Sequence, residues 1–487
     1  MAALLNHLPA PVRAWLARTL PRVMPFADAA SPDLPLPRLL RLSLFQVSVG
    51  LATALLVGTL NRVMIVELGV AAWLVSLMVA LPIVAAPLRA LIGHRSDTHA
   101  SAIGWRRMPY IWIGTLLQFG GLAIMPFALL VLTGRGEMGL AWVGQLAAGL
   151  AFLLVGAGLQ ITQTAGLALA TDLAPPATRP RVVALMYVML LAGLAGGGTA
   201  CAWLLADFSP NRLVQVVQGA AVLTVLLNLT AVWRQEARDA TRRRHRGVPA
   251  PAFGPMWRRF IAQPGARRFL WATALGTAAF NMQDIILEPY GGEILGLPVG
   301  ATSALTALWA GGALAAFALA ARLLARGFDP LRVAALGALF GLPAFAAVLM
   351  AAPLDSPLLF RAGVVTIGFG GGLFAVGTLS AAMAMERAEH VGLALGAWGA
   401  VQATAAGVAI ASGGAIRDSV TALAQQGWLG SALVSPVTGY GAVYQLELLL
   451  LFAALVALGP LTRHLVRHGA TRPALPTRKF GLAELPG

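Results

Sequence analysis

RQEARDATRRRHRGVPAPAFGPMWRRFIAQPGARR, residues 234 to 268, interrupts a chain that is otherwise almost entirely apolar. The stretch holds ten arginines and no lysine. Each such charge costs roughly 3 kcal/mol or more at the centre of a bilayer, so the segment must lie in water, on one side. Six apolar runs long enough to cross a bilayer precede it and six follow it. The sequence thus divides into a flanking segment 1–37, a six-helix half 38–233, the basic linker 234–268, a second half 269–467 and a tail 468–487.

Composition agrees. Of 487 residues, 58% are hydrophobic and 11% charged, and the mean hydropathy is +0.77, outside the range of a soluble chain of this length. The expected class is an all-α integral membrane protein. The net charge of +16 would suggest nucleic acid in a soluble protein, but placing the spans alternately puts thirty of the 35 Lys and Arg on one side. Only Arg62, Arg135, Arg212, Arg361 and Arg417 fall on the other. That asymmetry is a topology signal: by the positive-inside rule both termini are cytoplasmic, and nucleic acid is not a partner. Cys201 is the only cysteine, so an internal disulfide and a metal-thiolate cluster are excluded.

Residues 1–37 show no signal-peptide core, because prolines and arginines break every apolar run. Leu8, Val12, Trp15, Leu16 and Leu20 follow a helical stripe that suits either a short helix on the membrane face or a loose tail. The first six spans are expected at about 39–64, 71–92, 110–132, 140–169, 182–205 and 213–233. The second six are expected at about 269–288, 303–324, 331–351, 359–385, 391–416 and 442–465. Each reaches the ~20 residues that a 30 Å hydrocarbon core requires.

The halves read as diverged copies. Leu68-Gly69-Val70 after the first span returns as Leu295-Gly296-Leu297 after the seventh, Gly114 matches Gly337, and Asp172 matches Glu386, in the same order. Twelve transmembrane helices in two pseudo-symmetric six-helix halves, related by an axis along the membrane normal, describe the major facilitator fold. Between the second and third spans, Gly93 and Asp97 with Arg106 and Arg107 resemble that superfamily's cytoplasmic gate loop with extra residues inserted. The resemblance implies an aspartate that caps a helix and pairs with arginines, with Asp172, Arg179 and Arg181 as partners and Glu386 in the worn second copy. The alternative is solvated loop charge.

Polar residues inside spans are functional candidates by default. In FNMQDIILEPYGG, residues 280–292, helical spacing puts Asn281, Asp284 and Glu288 on one face with Gln283 beside it. Asp284 then lies roughly 22 Å and Glu288 roughly 28 Å along the span. One reading is an inter-half latch between Arg62 and Glu288 or Asp284; another is a ligand or proton site at Asp284; a third is a solvated mouth. Gln160, Thr162, Gln163 and Thr164 in the fourth span, and Gln445 and Glu447 near the outer end of the twelfth, suit interhelical hydrogen bonds. Gly193-x3-Gly197 and Gly368-x3-Gly372 suit close helix packing. No nucleotide-binding loop, zinc motif or hydrolytic constellation is present, so ATP is not expected as driver and no residue is assigned as catalytic or metal-ligating.

The runs LNRVMIVELGV (60–70), APLRALIGHRSDTHASAIGWRRMPYIWIGTLLQFGGLAIMPFALL (86–130), TQTAGLALATDLAP (162–175), NMQDIILEPYGGEILGLPVGAT (281–302) and GYGAVYQLELLLLFAALVALGPL (439–461) resemble the PucC/LhaA family, the bacteriochlorophyll-delivery branch of the major facilitator superfamily. The resemblance implies an assembly factor for light-harvesting antenna complexes of a purple bacterium, with the core antenna around the reaction centre favoured. It implies bacteriochlorophyll as a transient ligand, with light-harvesting alpha and beta polypeptides, reaction centre–antenna assembly intermediates, pigment-synthesis enzymes and lipid as partners. The membrane would be the bacterial inner or intracytoplasmic photosynthetic membrane. Pigment magnesium accepts imidazole or a neutral oxygen. All seven histidines fall at or outside the cytoplasmic edge, so a mid-membrane pigment would use Asn281, Gln283, Asp284, Gln160, a carbonyl or water, and a shallow one His390 or His464. A proton-coupled transporter and a pigment or lipid flippase are the competing readings.

Overall fold

Twelve spans alternate through the computed structural model, which describes residues 29–31, 34–84, 105–132, 141–175, 178–236, 261–262, 265–384 and 391–468. The first half comprises α1 (Leu36–Glu67), α2 (Ala72–Val84), α3 (Met108–Leu132), α4 (Ala141–Leu173), α5 (Arg179–Leu204) and α6 (Pro210–Val232). In the second half α7 is interrupted: Ala266–Asn281, a 3-10 turn Met282–Ile285, then Leu287–Glu293. It is followed by α8 (Val299–Ala325), α9 (Pro330–Ala351), α10 (Pro357–Ala384), α11 (Val391–Gln425) and α12 (Pro436–His468). The end of the bundle from which α6 leaves and α7 enters is called the linker end, and the opposite one the far end.

Local chemistry sets the helix boundaries. Ser209 caps α6, accepting from the Arg212 N–H at 3.2 Å, and Asp329 caps α9, accepting from Leu331 at 2.8 Å; each is followed by a proline at the first helical position, where no N–H is needed. The expected repeat is visible in the backbone. Gly69 after α1 and Gly296 after α7 both turn the chain at positive φ, 65° and 61°, a conformation in which a Cβ clashes. Gly114 in α3 lies against Gly158 and Thr162 of α4, and Gly337 in α9 lies against Gly370 and Phe374 of α10.

Helix pairing repeats in the same way. α3 packs on α4 as α9 does on α10, α1 on α5 as α7 on α11, and α3 on α6 as α9 on α12. The halves meet through α2 with α11 and α5 with α8, two contacts that exchange under the pseudo-two-fold. In lipid no hydrophobic force favours helix contact, so small residues that admit close backbone approach decide where helices join. A Cβ on Gly414 of α11 would overlap Ser76 and the backbone of Ala72 in α2, and one on Gly300 of α8 would sit 2.6 Å from the carbonyl of Ala202 in α5. The expected small-residue faces do this within the halves: Gly193 and Gly197 receive α1, and Gly368 and Gly372 receive α8.

Each half has its own core. That of the second half centres on Tyr290, whose ring lies 5.4 Å from Phe360, 5.4 Å from Tyr440 and 5.7 Å from Tyr444 between centroids. The Tyr290 hydroxyl donates to the Val348 carbonyl at 3.1 Å and accepts from the Ala352 N–H at 3.1 Å. These bonds anchor the outer piece of α7 to α9, α10 and α12, and Ile285 of the 3-10 turn is buried instead in the core of the first half.

The sequence reading of residues 269–288 as one unbroken helix needs correction. The chain changes pitch at Met282, so the Asn281, Asp284 and Glu288 side chains no longer share one helical face. Segment 1–28, most of the linker and the tail 469–487 lie outside the described residues, as do Gly93, Asp97, Glu386 and His390 of the expected sites. His464 is in the last turns of α12, and its side chain also lies outside the described set.

Candidate functional site

Between the halves, on the linker side, is a cavity of about 370 Å³. Its wall comes from the linker-side or middle parts of seven helices and includes Gln160, Tyr187, Thr277, Asn281, Trp398 and Gln402. Among the described residues, that lining holds no Asp, Glu, Lys, Arg or His. Asn281 donates from Nδ2 to the Thr277 carbonyl at 2.7 Å, and Trp398 donates from Nε1 to Thr378 Oγ1 at 3.1 Å, so part of the polarity is internally satisfied. The Gln160 Oε1 is not: it is buried and accepts no hydrogen bond. A buried amide oxygen without a donor costs about 1–3 kcal/mol, which a ligand offering a donor or a hard Lewis acid would recover. Gln160 and Asn281, far apart in sequence, are thus brought together in one uncharged chamber.

Behind the cavity, the far end is sealed where α1 crosses α7 and α8. Asn61 of α1 donates from Nδ2 to the carbonyls of Asp284 and Ile285, each at 3.3 Å, which the 3-10 turn leaves without helical partners. Thr59 and Ser303 share a 3.1 Å hydroxyl contact. The expected Arg62–Glu288 latch is replaced. Arg62 ion-pairs with Glu67, five residues on in its own helix, and donates to the Leu297 carbonyl at 3.1 Å. It does so because α1 is π-helical over Ala54–Leu60 and Val63–Glu67, and the wider turns bring residues five apart onto one face. Arg62 therefore still bridges the halves, but to a backbone oxygen; Gly292 leaves the space its guanidinium occupies.

Glu288 is buried, accepts from Thr306 Oγ1 at 3.2 Å through one oxygen and has no partner on the other. Gln283 donates from Nε2 to Asp284 Oδ1 at 2.9 Å, while its own Oε1 is buried without a donor. None of Gln283, Asp284 and Glu288 is in the cavity lining, so the grouped pigment or proton candidates divide: Gln160 and Asn281 line the chamber and the other three do not. Glu447 of α12 lies close to Asp284 and to the Gln283 backbone at the 3-10 turn. Because α12 starts at Pro436, Glu447 lies about 16 Å along it, near mid-depth rather than at an outer end. It is fully buried and neither oxygen is hydrogen-bonded.

At the linker end, Asp172 accepts from Arg106 at 2.9 Å and Arg107 at 3.1 Å, joining α4 to the start of α3. Arg179 donates to the Ala174 carbonyl at 3.3 Å, and Arg181 is half-buried near the start of α5. The acidic cap at the start of α3 is Glu236, after α6: it accepts from the backbone N–H groups of Arg106 at 2.7 Å, Arg107 at 3.1 Å and Met108 at 3.0 Å. Sequence reading missed Glu236 because it stands in the linker, 130 residues from Arg106. It also missed the far-end cluster in which Arg417 ion-pairs with Glu293 and with Asp418 at 2.8 Å, and Asp418 accepts from the Trp73 N–H at 2.8 Å, tying α11 to the start of α2.

The sequence pattern of the family described as PUCC protein matches residues 59–466. Over 466 residues, 95% of this chain and 97% of the relative, the sequence is 52% identical to an uncharacterized protein of Rhodobacter capsulatus from the puhA-bchM intergenic region. It is 56% identical to the protein PucC of Rhodovulum sulfidophilum over 409 residues, 83% of this chain and 90% of that one. Among solved structures, a bacterial homologue of the human lysosomal transporter Spinster, inward-facing and unoccupied, superposes with a TM-score of 0.64 at 14% identity, covering 88% of this chain and 97% of that one. That likeness carries the fold, which is of the major facilitator type, and the sequence carries the kinship: this chain is a member of the PUCC protein family.

Proposed function

We propose that this chain is an assembly factor for bacterial light-harvesting antenna, one that docks the alpha and beta polypeptides and hands on bacteriochlorophyll rather than catalysing a reaction. It would act in the inner or intracytoplasmic photosynthetic membrane, with both termini cytoplasmic as the arginine asymmetry implies, and would serve the core antenna around the reaction centre. Reaction centre–antenna intermediates, pigment-synthesis enzymes and lipid are the further partners, and ATP has no role.

The observation that supports this most is the uncharged chamber with the orphaned Gln160 oxygen. A charged or strongly hydrophilic solute would need ionic partners, and the described residues of the wall offer none. A neutral amide oxygen, by contrast, suits magnesium held weakly enough to be released. Bacteriochlorophyll, when bound, supplies that magnesium; Gln160 would hold it, and Asn281 and Gln402 would orient polar groups at the ring edge. The chamber is at the low end of the ~300–1,000 Å³ of small-molecule sites, so part of the pigment would stay between helices, in contact with lipid.

Protein purified from phototrophically grown membranes should carry bacteriochlorophyll in its absorption spectrum, and Gln160→Leu should lower the pigment content several-fold. Wild-type protein devoid of pigment would sink the delivery reading. A proton-coupled carrier or a pigment or lipid flippase is the second reading, favoured by the carboxyl groups buried around the 3-10 turn of α7; uptake of a hydrophilic solute driven by a proton gradient in vesicles would decide for the carrier.

A further inference from the structure

We infer that Glu288 and Glu447, with Asp284, form a proton-binding site around the 3-10 turn of α7, loaded while the far end is closed. Glu447 is fully buried with both oxygens unpartnered, Glu288 is buried with one oxygen unpartnered, and the buried Gln283 Oε1 and Tyr444 hydroxyl next to them also lack partners. Among the described residues, no Lys, Arg or His hydrogen-bonds or ion-pairs with any of the three carboxyls. Arg62 of α1 is held by Glu67 and the Leu297 carbonyl through its two terminal nitrogens, and its buried Nε–H makes no bond to any of the three carboxyls.

A carboxylate without a cation or a full set of donors is among the costliest groups a membrane interior can hold. The neutral acid removes that cost and gains an O–H that can use the waiting acceptors, Gln283 Oε1 and the second oxygen of Glu288. A metal ion fits less well, because no group of three acidic, histidine or cysteine side chains among the described residues is arranged to ligate one. The ligand of this site is therefore the proton.

Two features give the site an entry and a consequence. Asp284, unlike Glu288 and Glu447, is only half-buried. Asp284 is thus the port: a hydronium ion reaching it gives its proton to a carboxylate oxygen, an O–H bond forms, water is left, and unloading is the reverse. The consequence comes from Asn61 and Thr306. Asn61 holds the 284 and 285 carbonyls from the other half, and Thr306 donates to Glu288 within its own half, so a change of charge at Asp284 and Glu288 falls beside the bonds that close the far end. The titratable groups facing it are Tyr290 of α7, Tyr440 and Tyr444 of α12 and Arg62 with Glu67 of α1; Arg417, Asp418 and Glu293 form their own cluster further out.

The test is infrared difference spectroscopy on the full chain in lipid nanodiscs at neutral pH, without pigment, so that it stands apart from the cargo reading. A carboxylic C=O band that shifts in heavy water is expected. Glu447→Gln and Glu288→Gln should each remove part of it, and Asp284→Asn should leave that part but slow its exchange. Glu447→Gln breaks no hydrogen bond, so that variant should fold. Absence of the band in the wild type, its survival in both glutamine variants, or its loss on adding sodium would overturn the assignment, the last in favour of a cation.

Discussion

Asn61 illustrates how much a single side chain holds together here. Its amide satisfies two carbonyls of the opposite half, and its own Oδ1 accepts the Arg62 N–H at 2.5 Å. At the same scale, Glu236 accepts from three consecutive N–H groups at the start of α3, so Glu236→Ala should cost about 1–2 kcal/mol, seen as a lower midpoint for thermal unfolding in detergent. Asp172→Asn should cost less than about 1 kcal/mol, because that carboxylate is exposed and water competes for its arginines. If Asp172→Asn proved the more damaging of the two, the capping account would be wrong. Gly296→Ala should destabilise by about 1–2 kcal/mol through the positive φ alone, and Gly69→Ala by a similar amount; unequal losses would argue against equivalent turns in the two halves.

At the scale of elements, the irregular helices are the informative ones. The 3-10 turn of α7 starts at Met282, and the first π-helical stretch of α1 starts at Ala54, close to its counterpart when the two Leu-Gly turns are matched. Both halves depart from α-helical pitch at one depth, where their first helices cross. Asn61→Leu keeps the bulk and removes the donor, leaving the Asp284 and Ile285 carbonyls unpaired; a loss of roughly 1–3 kcal/mol is expected in chemical denaturation, together with faster amide exchange over 282–288. Unchanged exchange there would mean that the turn holds itself. The amphipathic pattern did not announce this break. No proline or glycine marks residues 281–286, and only the polar run Asn281, Gln283, Asp284 hinted that the helix would open. The decisive partner, Asn61, lies 223 residues from Asp284.

For the molecule as a whole, the far end is sealed by small residues and a few polar contacts while the chamber lies on the linker side. Gly414→Val would press a side chain into Ser76 and Ala72 and part α2 from α11. Cys201, the only cysteine, is buried on α5, the helix that packs on α8 across the halves, and reports on that contact. Its labelling by a membrane-impermeant maleimide should rise about tenfold in Gly414→Val, equivalent to ~1.4 kcal/mol of destabilised closure. No increase would place the seal elsewhere, with Asp418 and Trp73 the next pair to break.

By itself the sequence determined the class, the twelve spans, their division by the arginine-rich linker and the twofold repeat, because the cost of placing charge or unpaired backbone in hydrocarbon is a local quantity readable along the chain. It also marked Gln160, Asn281, Asp284 and Glu288 as costly and therefore purposeful. Only the tertiary structure decided which of them meet: Gln160 with Asn281 in a chamber whose described lining is uncharged, Glu288 with Thr306, and Arg62 with Glu67 and a backbone oxygen. Those outcomes depend on helix pitch and on small residues that set how closely helices approach, and neither is a property of one segment alone.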